Sequence, residues 1–118
     1  MKYAFLFCLL SLSISSLAQQ ESKMHAKLDT MSQDKGEMMV TRYILYPTKE
    51  RDEGIEGIVY IGFNIEKDGM MDSVRIIKGA EAGLDSAALK AVNSMPKKWA
   101  PLKERAQFTL PVRFILLK

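Results

Sequence analysis

Residues that could support catalysis or metal binding are few and scattered in this sequence. The chain has one histidine, His25, and one cysteine, Cys8. A zinc site or a Ser-His-Asp triad needs several groups that converge on one point, and His25 lies in a polar stretch without such neighbours. Asp68 and Asp72 flank a predicted hairpin turn, and the preference of aspartate for turns accounts for Asp68. We therefore expect no catalytic residue, no metal site and no cofactor.

Charge and glycine spacing exclude further classes of ligand. The seven glycines do not have a phosphate-binding spacing, so no nucleotide or small-molecule substrate is predicted. The formal net charge is only +3, which is too weak to indicate nucleic acid. The single tryptophan, Trp99, is interpreted as a cap over the core rather than a recognition residue.

The N-terminus has the three parts of an export signal. Lys2 supplies the positive charge, residues 3–17 form a mostly apolar run, and Ser16 and Ala18 are the small residues of a cleavage site. We expect cleavage between Ala18 and Gln19, with residues 1–18 as the signal peptide. A membrane anchor is the alternative, but spanning a bilayer takes about 20 apolar residues and serines interrupt this run.

Cleavage would leave 100 residues with no cysteine and a net charge of +2. A secreted chain without disulfides indicates a periplasmic protein with an ordinary apolar core, and this length suffices for one domain. Residues 19–39 are interpreted as a polar linker, although Met24, Leu28 and Met31 recur at helical spacing. Residues 40–118 form the predicted domain.

The first half of that domain predicts a short helix and a hairpin. Proline suits a helix start, so Tyr46-Pro47 should precede one or two turns. Residues 55–66 alternate apolar and polar positions, as a half-buried antiparallel strand does. Asp68-Gly69 is a tight-turn pair, and the partner strand over residues 70–78 should carry a bulge near Asp72 or Ser73.

The second half predicts a helix and a last strand. Asp85 is the expected N-cap, apolar residues from Leu84 to Met95 follow helical spacing, and Pro96 ends the helix. Residues 105–117 alternate again, and Pro111 places this strand at a sheet edge, because proline cannot donate to a ladder. The predicted fold is α+β in the order α-β-β-α-β, a three-stranded antiparallel sheet with two helices on one face.

Several short motifs follow one another in a characteristic order, and together they resemble the TonB C-terminal domain over residues 46–117. The resemblance rests on their combination, since each piece alone is common. The Met-Pro and Phe-Thr-Leu-Pro pieces are most similar to stand-alone TonB-like proteins of Bacteroidetes. The motifs are Tyr46-Pro47, Gly54-Ile55-Glu56-Gly57, Asp68-Gly69, Leu84 to Leu89, Met95-Pro96, Trp99, Pro101 and Phe108 to Phe114.

The resemblance implies a periplasmic domain that captures a short segment of an outer-membrane transporter or another envelope protein. In the family, that segment pairs with the edge of the last strand. The implied binding surface here is Gln107, Thr109, Pro111 and Arg113, with Tyr46 and Pro47 nearby. An edge strand offers unpaired N–H and C=O groups to an extended peptide, although Pro111 and Arg113 are also residues that protect edges from pairing.

Two alternatives remain open from the sequence. An uncleaved N-terminus would make the protein an anchored subunit of a TonB-type energy-transducing complex. Against this, residues 19–46 contain no proline, whereas a full TonB has a long proline-rich span. The second alternative is a structural domain that forms a homodimer through its edge strands. The family also usually has a longer turn between the Trp-x-Pro element and the last strand than Pro101 to Phe108 allows.

The predicted signal peptide should be removed during export. Protein recovered from the periplasm of the producing cell should begin at Gln19, because Ser16 and Ala18 satisfy the cleavage site. Intact-mass and N-terminal peptide analysis measure this directly. A chain that keeps residues 1–18 in the membrane fraction would contradict the prediction and favour the anchored alternative.

Overall fold

A computed structural model describes residues 28–117. The predicted signal peptide, the Ala18–Gln19 site and most of the predicted linker lie outside these residues. Within residues 28–117, no helix is long and apolar enough to cross a membrane. In chain order the elements are α1 (Gln33–Thr41), α2 (Thr48–Asp52), β1 (Gly57–Ile65), β2 (Met71–Lys78), α3 (Ala82–Asn93) and β3 (Ala106–Phe114).

The three strands form one antiparallel sheet in the order β2-β1-β3, so the predicted α+β architecture is confirmed. The central strand β1 pairs with β3 without a break, from Gly57 opposite Phe114 to Ile65 opposite Ala106. Every second residue of β1 from Val59 to Ile65 is fully buried, as predicted, but Gly62 and Asn64 on the other face are buried as well, so the expectation of a half-buried strand was wrong for this end of β1. The last strand therefore lies at a sheet edge, as Pro111 indicated.

The hairpin between β1 and β2 has the predicted turn and the predicted bulge. Gly69 adopts φ +89°, a left-handed conformation that glycine adopts without strain. Pairing moves from Asn64–Asp72 to Gly62–Arg75, so β2 carries one extra residue there. Ser73 lies in this bulge with φ +55°. A second irregularity follows near the end of β2, which makes this strand much less regular than β3.

Helix α3 presents its predicted apolar face to the sheet but begins earlier than expected. Leu84, Ala88 and Val92 are fully buried on that face. The expected N-cap, Asp85, was wrong: Glu81 caps the helix by accepting from the Gly83 N–H at 2.9 Å. Asp85 lies in the first turn, where its carboxylate accepts from the Ala80 N–H at 2.8 Å. Both carboxylates satisfy N–H groups near the helix start, and sequence alone does not rank them.

The linker prediction was wrong for residues 33–39, which belong to α1. Ser32 caps this helix by accepting from the Lys35 N–H. Val40 is 1% exposed and Met31, just before the helix, is 4% exposed. Gly36 packs against Leu110 of β3. The helix is mostly polar, so tertiary contacts along one narrow stripe stabilise it rather than a broad apolar face.

Hydrogen bonds join the connection between α3 and β3 to the turn between β1 and β2. Trp99 is 3% exposed, and its ring N–H donates to the Pro96 carbonyl at 2.8 Å. Its backbone N–H donates to the Gly69 carbonyl at 2.8 Å, and Leu102 donates to Lys67 at 3.0 Å. Trp99 therefore covers the core, as the sequence predicted.

We expect Gly69→Ala to destabilise the domain strongly. An added Cβ would lie 1.9 Å from the Trp99 carbonyl oxygen and would keep a left-handed φ. The expected loss in free energy of unfolding is roughly 3 kcal/mol or more, from backbone strain plus displacement of the Trp99 segment. Urea denaturation followed by Trp99 fluorescence measures it.

Gly54→Ala is the matched control, because Gly54 also has φ +70° but nothing lies within 4 Å of an added Cβ. This variant pays only for the left-handed backbone, about 1 kcal/mol. Equal losses for the two variants would contradict the role of the close approach at Trp99.

Candidate functional site

The predicted binding residues of β3 lie along a free sheet edge. Gln107, Thr109 and Arg113 are exposed, and Pro111 is half-buried. The residues between them carry the core side chains, with Leu110 and Val112 fully buried. Because strand side chains alternate, all four predicted residues lie on the sheet face opposite the helices. Among residues 28–117, no further strand pairs with the outer side of β3.

The backbone groups of these residues point away from β1. The carbonyl of Thr109 accepts a hydrogen bond from the Gln33 side chain of α1 at 2.8 Å. In an antiparallel pair, residues alternately direct both backbone groups toward the partner strand and away from it. Gln107, Pro111 and Arg113 share the alternation of Thr109 and therefore have the same orientation. This also explains why a proline is tolerated at position 111. An N–H there would point away from β1, so its absence removes no hydrogen bond between β1 and β3.

The other two predicted residues, Tyr46 and Pro47, lie at the end of β3 rather than along it. Tyr46 contacts Phe114 edge-to-face, with ring centroids 5.4 Å apart. Its hydroxyl donates to the Ile55 carbonyl, just before β1. Pro47 is the N-cap of α2 rather than its first helical residue. Tyr46 thus fixes the Tyr43–Thr48 segment against the last residue of the edge strand.

A cavity that the sequence did not indicate lies between this segment and α3. Its volume is about 660 Å³, within the usual range for small ligand sites. Leu45 at its rim is 81% exposed, and Lys90 is the charged residue of the lining. Sequence reasoning missed it because its walls are distant in the chain and have no shared motif. The lining includes Tyr43, Leu45, Pro47, Ser86, Lys90 and Ser94.

The described residues of the site offer hydrogen-bonding and titratable groups. No three histidine, cysteine, aspartate or glutamate side chains within residues 28–117 cluster as a metal site. Burial raises the pKa of Tyr46, and the nearby Glu56 carboxylate raises it further. Burial lowers the pKa of Lys97. Glu56 accepts a hydrogen bond from the Leu116 N–H at 2.6 Å, which holds the chain just beyond β3.

Comparison with known proteins identifies related sequences and folds. The family described as the Gram-negative bacterial TonB protein C-terminal matches residues 42–116. A solution structure of the Helicobacter pylori TonB C-terminal domain is 25% identical, with a TM-score of 0.64, over 70% of this chain and 78% of that one. A solution structure of a shorter fragment of that domain is 27% identical, with a TM-score of 0.54, and the match covers 68% of this chain and 88% of that fragment. No protein with a curated description matches significantly.

The family match begins at residue 42, immediately after α1 ends. The matched residues include the Tyr46 segment, the complete sheet and α3. Gln33, which bonds to the free edge, lies before the match. It was also the edge contact that sequence reasoning missed, since residues 19–39 were assigned to a linker.

We expect Tyr46→Phe to change the alkaline end of the stability profile. The pKa of Tyr46 is raised in the folded protein above the ordinary tyrosine value of about 10. Its contribution to stability is therefore fully present below pH 10 and is lost as the pH rises through the folded-state pKa. Urea midpoints measured from pH 8 to 11 should fall less steeply for Tyr46→Phe than for the unchanged protein.

Tyr43→Phe is the comparison variant, because Tyr43 lines the same cavity. It removes a hydroxyl at the same cavity and keeps the hydrogen bond from Tyr46 to Ile55, so it controls for the loss of one phenol. Identical profiles for Tyr46→Phe and the unchanged protein would show that the Tyr46 phenol does not carry this pH dependence.

Proposed function

Because this chain belongs to the TonB C-terminal family of Gram-negative bacteria, we propose that it is a periplasmic protein-binding module. Its ligand would be an extended segment of an outer-membrane transporter or of another envelope protein. The segment would add to the sheet as a fourth strand beside β3. The family assignment rests on residues 42–116, and no cofactor or catalytic step is part of this proposal.

The free edge of β3 is the observation that supports strand addition. Its residues pair with β1 in nine consecutive positions, so its outer groups lie along one regular line. Strand addition draws most of its affinity from such main-chain hydrogen bonds, and neighbouring side chains set the register. Gln107, Thr109 and Arg113 each carry an outward N–H and C=O, and Pro111 adds a carbonyl.

The opposite edge of the sheet, on β2, is unsuited to the same role. Two irregularities break its pairing with β1, and Ser73 has a left-handed φ of +55°. Bulges twist an edge and interrupt the line of backbone groups, which is how natural sheets prevent unwanted pairing. Of the two edges in residues 28–117, β3 is therefore the one shaped to accept a strand.

The exposed side chains of β3 itself are polar or charged, and these suit a polar or acidic segment. Arg113 is exposed and has no carboxylate within ion-pair distance in residues 28–117. Thr109 and Gln107 offer hydrogen bonds on the same face. We propose that Arg113 selects an acidic residue of the partner, since a guanidinium binds a carboxylate with two parallel hydrogen bonds. Tyr46 and Pro47 would limit the segment at the end of β3.

The predicted export signal and the proline-free stretch before Pro47 favour an adaptor, competitor or regulator over a transducing subunit. Such a protein would occupy the same partner segments without coupling them to an inner-membrane motor. A homodimer through two β3 edges is the competing use of the same surface, and sedimentation at rising concentration distinguishes it.

We expect Thr109→Pro to weaken binding of the partner segment by roughly five- to tenfold. The outward N–H of Thr109 faces no partner in β1, so proline removes a donor of the free edge without breaking the sheet. Calorimetric titration with synthetic peptides from the periplasmic N-terminal segments of the same bacterium's outer-membrane transporters measures the effect.

Thr109→Ala is the matched control, because it shortens the same side chain and keeps the N–H. It should bind within about twofold of the unchanged protein, since the main chain carries the contact. Equal affinities for Thr109→Pro and Thr109→Ala would exclude pairing at this position. Absence of binding to every transporter peptide, by the unchanged protein and by all its variants, would rule out transporters as the partner.

A further inference from the structure

We propose that α1 is a built-in competitor for the β3 edge, and that Gln33 is the residue that competes. The inference rests on the proposed strand addition and adds a regulation to it. Gln33 donates its side-chain amide to the Thr109 carbonyl at 2.8 Å. That carbonyl is one of the outward backbone groups of β3 that a partner strand would use. Gln33 therefore occupies one of these groups in the free protein.

Two contacts fix the direction of the Gln33 amide. The same Nε2 atom donates to Glu37 Oε1 at 2.8 Å, one helical turn further along α1. An amide nitrogen has two hydrogens, so both donors of Gln33 are used, one within the helix and one on the sheet edge. Glu37 therefore positions Gln33, and the side chain imitates the N–H of a paired strand.

The close approach of α1 to β3 makes this reach possible. Gly36 lies so near Leu110 that an added Cβ would come within 3.0 Å of the Leu110 side chain. Val40, one turn later, is 1% exposed and anchors the helix in the core. Because Gly36 and Val40 fix α1 over β3, Gln33 is placed at the edge by packing and not by its own bond alone.

The hydrogen bond from Gln33 to Thr109 lies where the β3 edge offers few backbone groups to a partner strand. Pro111, the next outward residue, has no N–H, so the middle of the edge offers only the Thr109 N–H, the Thr109 carbonyl and the Pro111 carbonyl. Gln33 occupies one of these three groups. A partner strand that crosses Thr109 must displace the Gln33 amide or pair in a register that avoids it.

The contact is weak enough to be displaced. Both Gln33 and Thr109 are exposed, and a single exposed hydrogen bond changes an equilibrium by about two- to tenfold. Gln33 therefore does not close the edge. It raises the affinity that a segment must have in order to bind, which favours segments that make the full set of β3 contacts.

The test compares peptide affinities of Gln33→Ala and Gln33→Met with the unchanged protein. Methionine keeps nearly the length of the side chain and adds no charge, but it has no N–H to donate, so it serves if the alanine variant weakens α1. Lys35→Ala is the control: it lies in the same turn, and its surface ion pair with Asp29 at 3.6 Å does not touch β3. The probes are the transporter peptides used above.

We expect both Gln33 variants to bind the peptides about two- to tenfold more tightly, with stability unchanged or lower, and Lys35→Ala to bind as the unchanged protein does. A merely structural role would give weaker binding together with lower stability. The Thr109 carbonyl ¹³C shift should move in both Gln33 variants and not in Lys35→Ala.

The outcomes separate this inference from the proposed function. Peptide binding that Gln33→Ala and Gln33→Met leave unchanged or weaken would overturn the competition and leave strand addition standing. An unmoved Thr109 carbonyl shift would overturn it without any partner. Binding of peptides to the Gln33 variants but not to the unchanged protein would support the competition most strongly. Binding to none of the proteins would overturn the competition for transporter segments and leave another envelope protein as the partner for strand addition.

Discussion

The unbroken pairing between β1 and β3 is the interaction on which the rest of this domain depends. Nine consecutive residue pairs align the two strands, from Gly57–Phe114 to Ile65–Ala106. This register places Ile61 and Leu110 on the same face, where α1 and α3 cover them, and both are fully buried. A slip of one residue would turn every apolar side chain of β3 to solvent, so the core itself holds the register.

The same register determines which groups the edge offers. Since β3 must place Leu110 and Val112 in the core, Thr109, Pro111 and Arg113 direct their side chains to the opposite face. Their backbone groups point outward because the alternation of an antiparallel pair leaves every second residue unbonded to the partner strand. A proline can therefore lie in the middle of this strand without weakening the sheet. The packed face of β3 and the open line of backbone groups at its edge follow from one alignment.

The two edges of the sheet differ in the regularity of their backbone groups. Strand β2 carries two irregularities and the left-handed Ser73, and these interrupt its outer line of backbone groups. Strand β3 keeps that line and contacts α1 through Gln33. The helix therefore contributes twice to this edge: Val40 and Gly36 pack over its inner face, and Gln33 occupies one of its outer carbonyls.

The sequence by itself determined the sheet, the hairpin and the edge position of the last strand. Alternation in residues 55–66 and 105–117, the Asp68-Gly69 pair and Pro111 are local signals, and each depends only on neighbouring residues. Only the tertiary structure decided that α1 exists, that Glu81 caps α3, that a cavity lies beside Tyr46, and that Gln33 meets Thr109. These features depend on contacts between residues that are far apart in the chain. The polar sequence of α1 is stabilised as a helix because Met31 and Val40 pack in the core. Long-range contacts of this kind leave no periodic pattern in the sequence that could have predicted them.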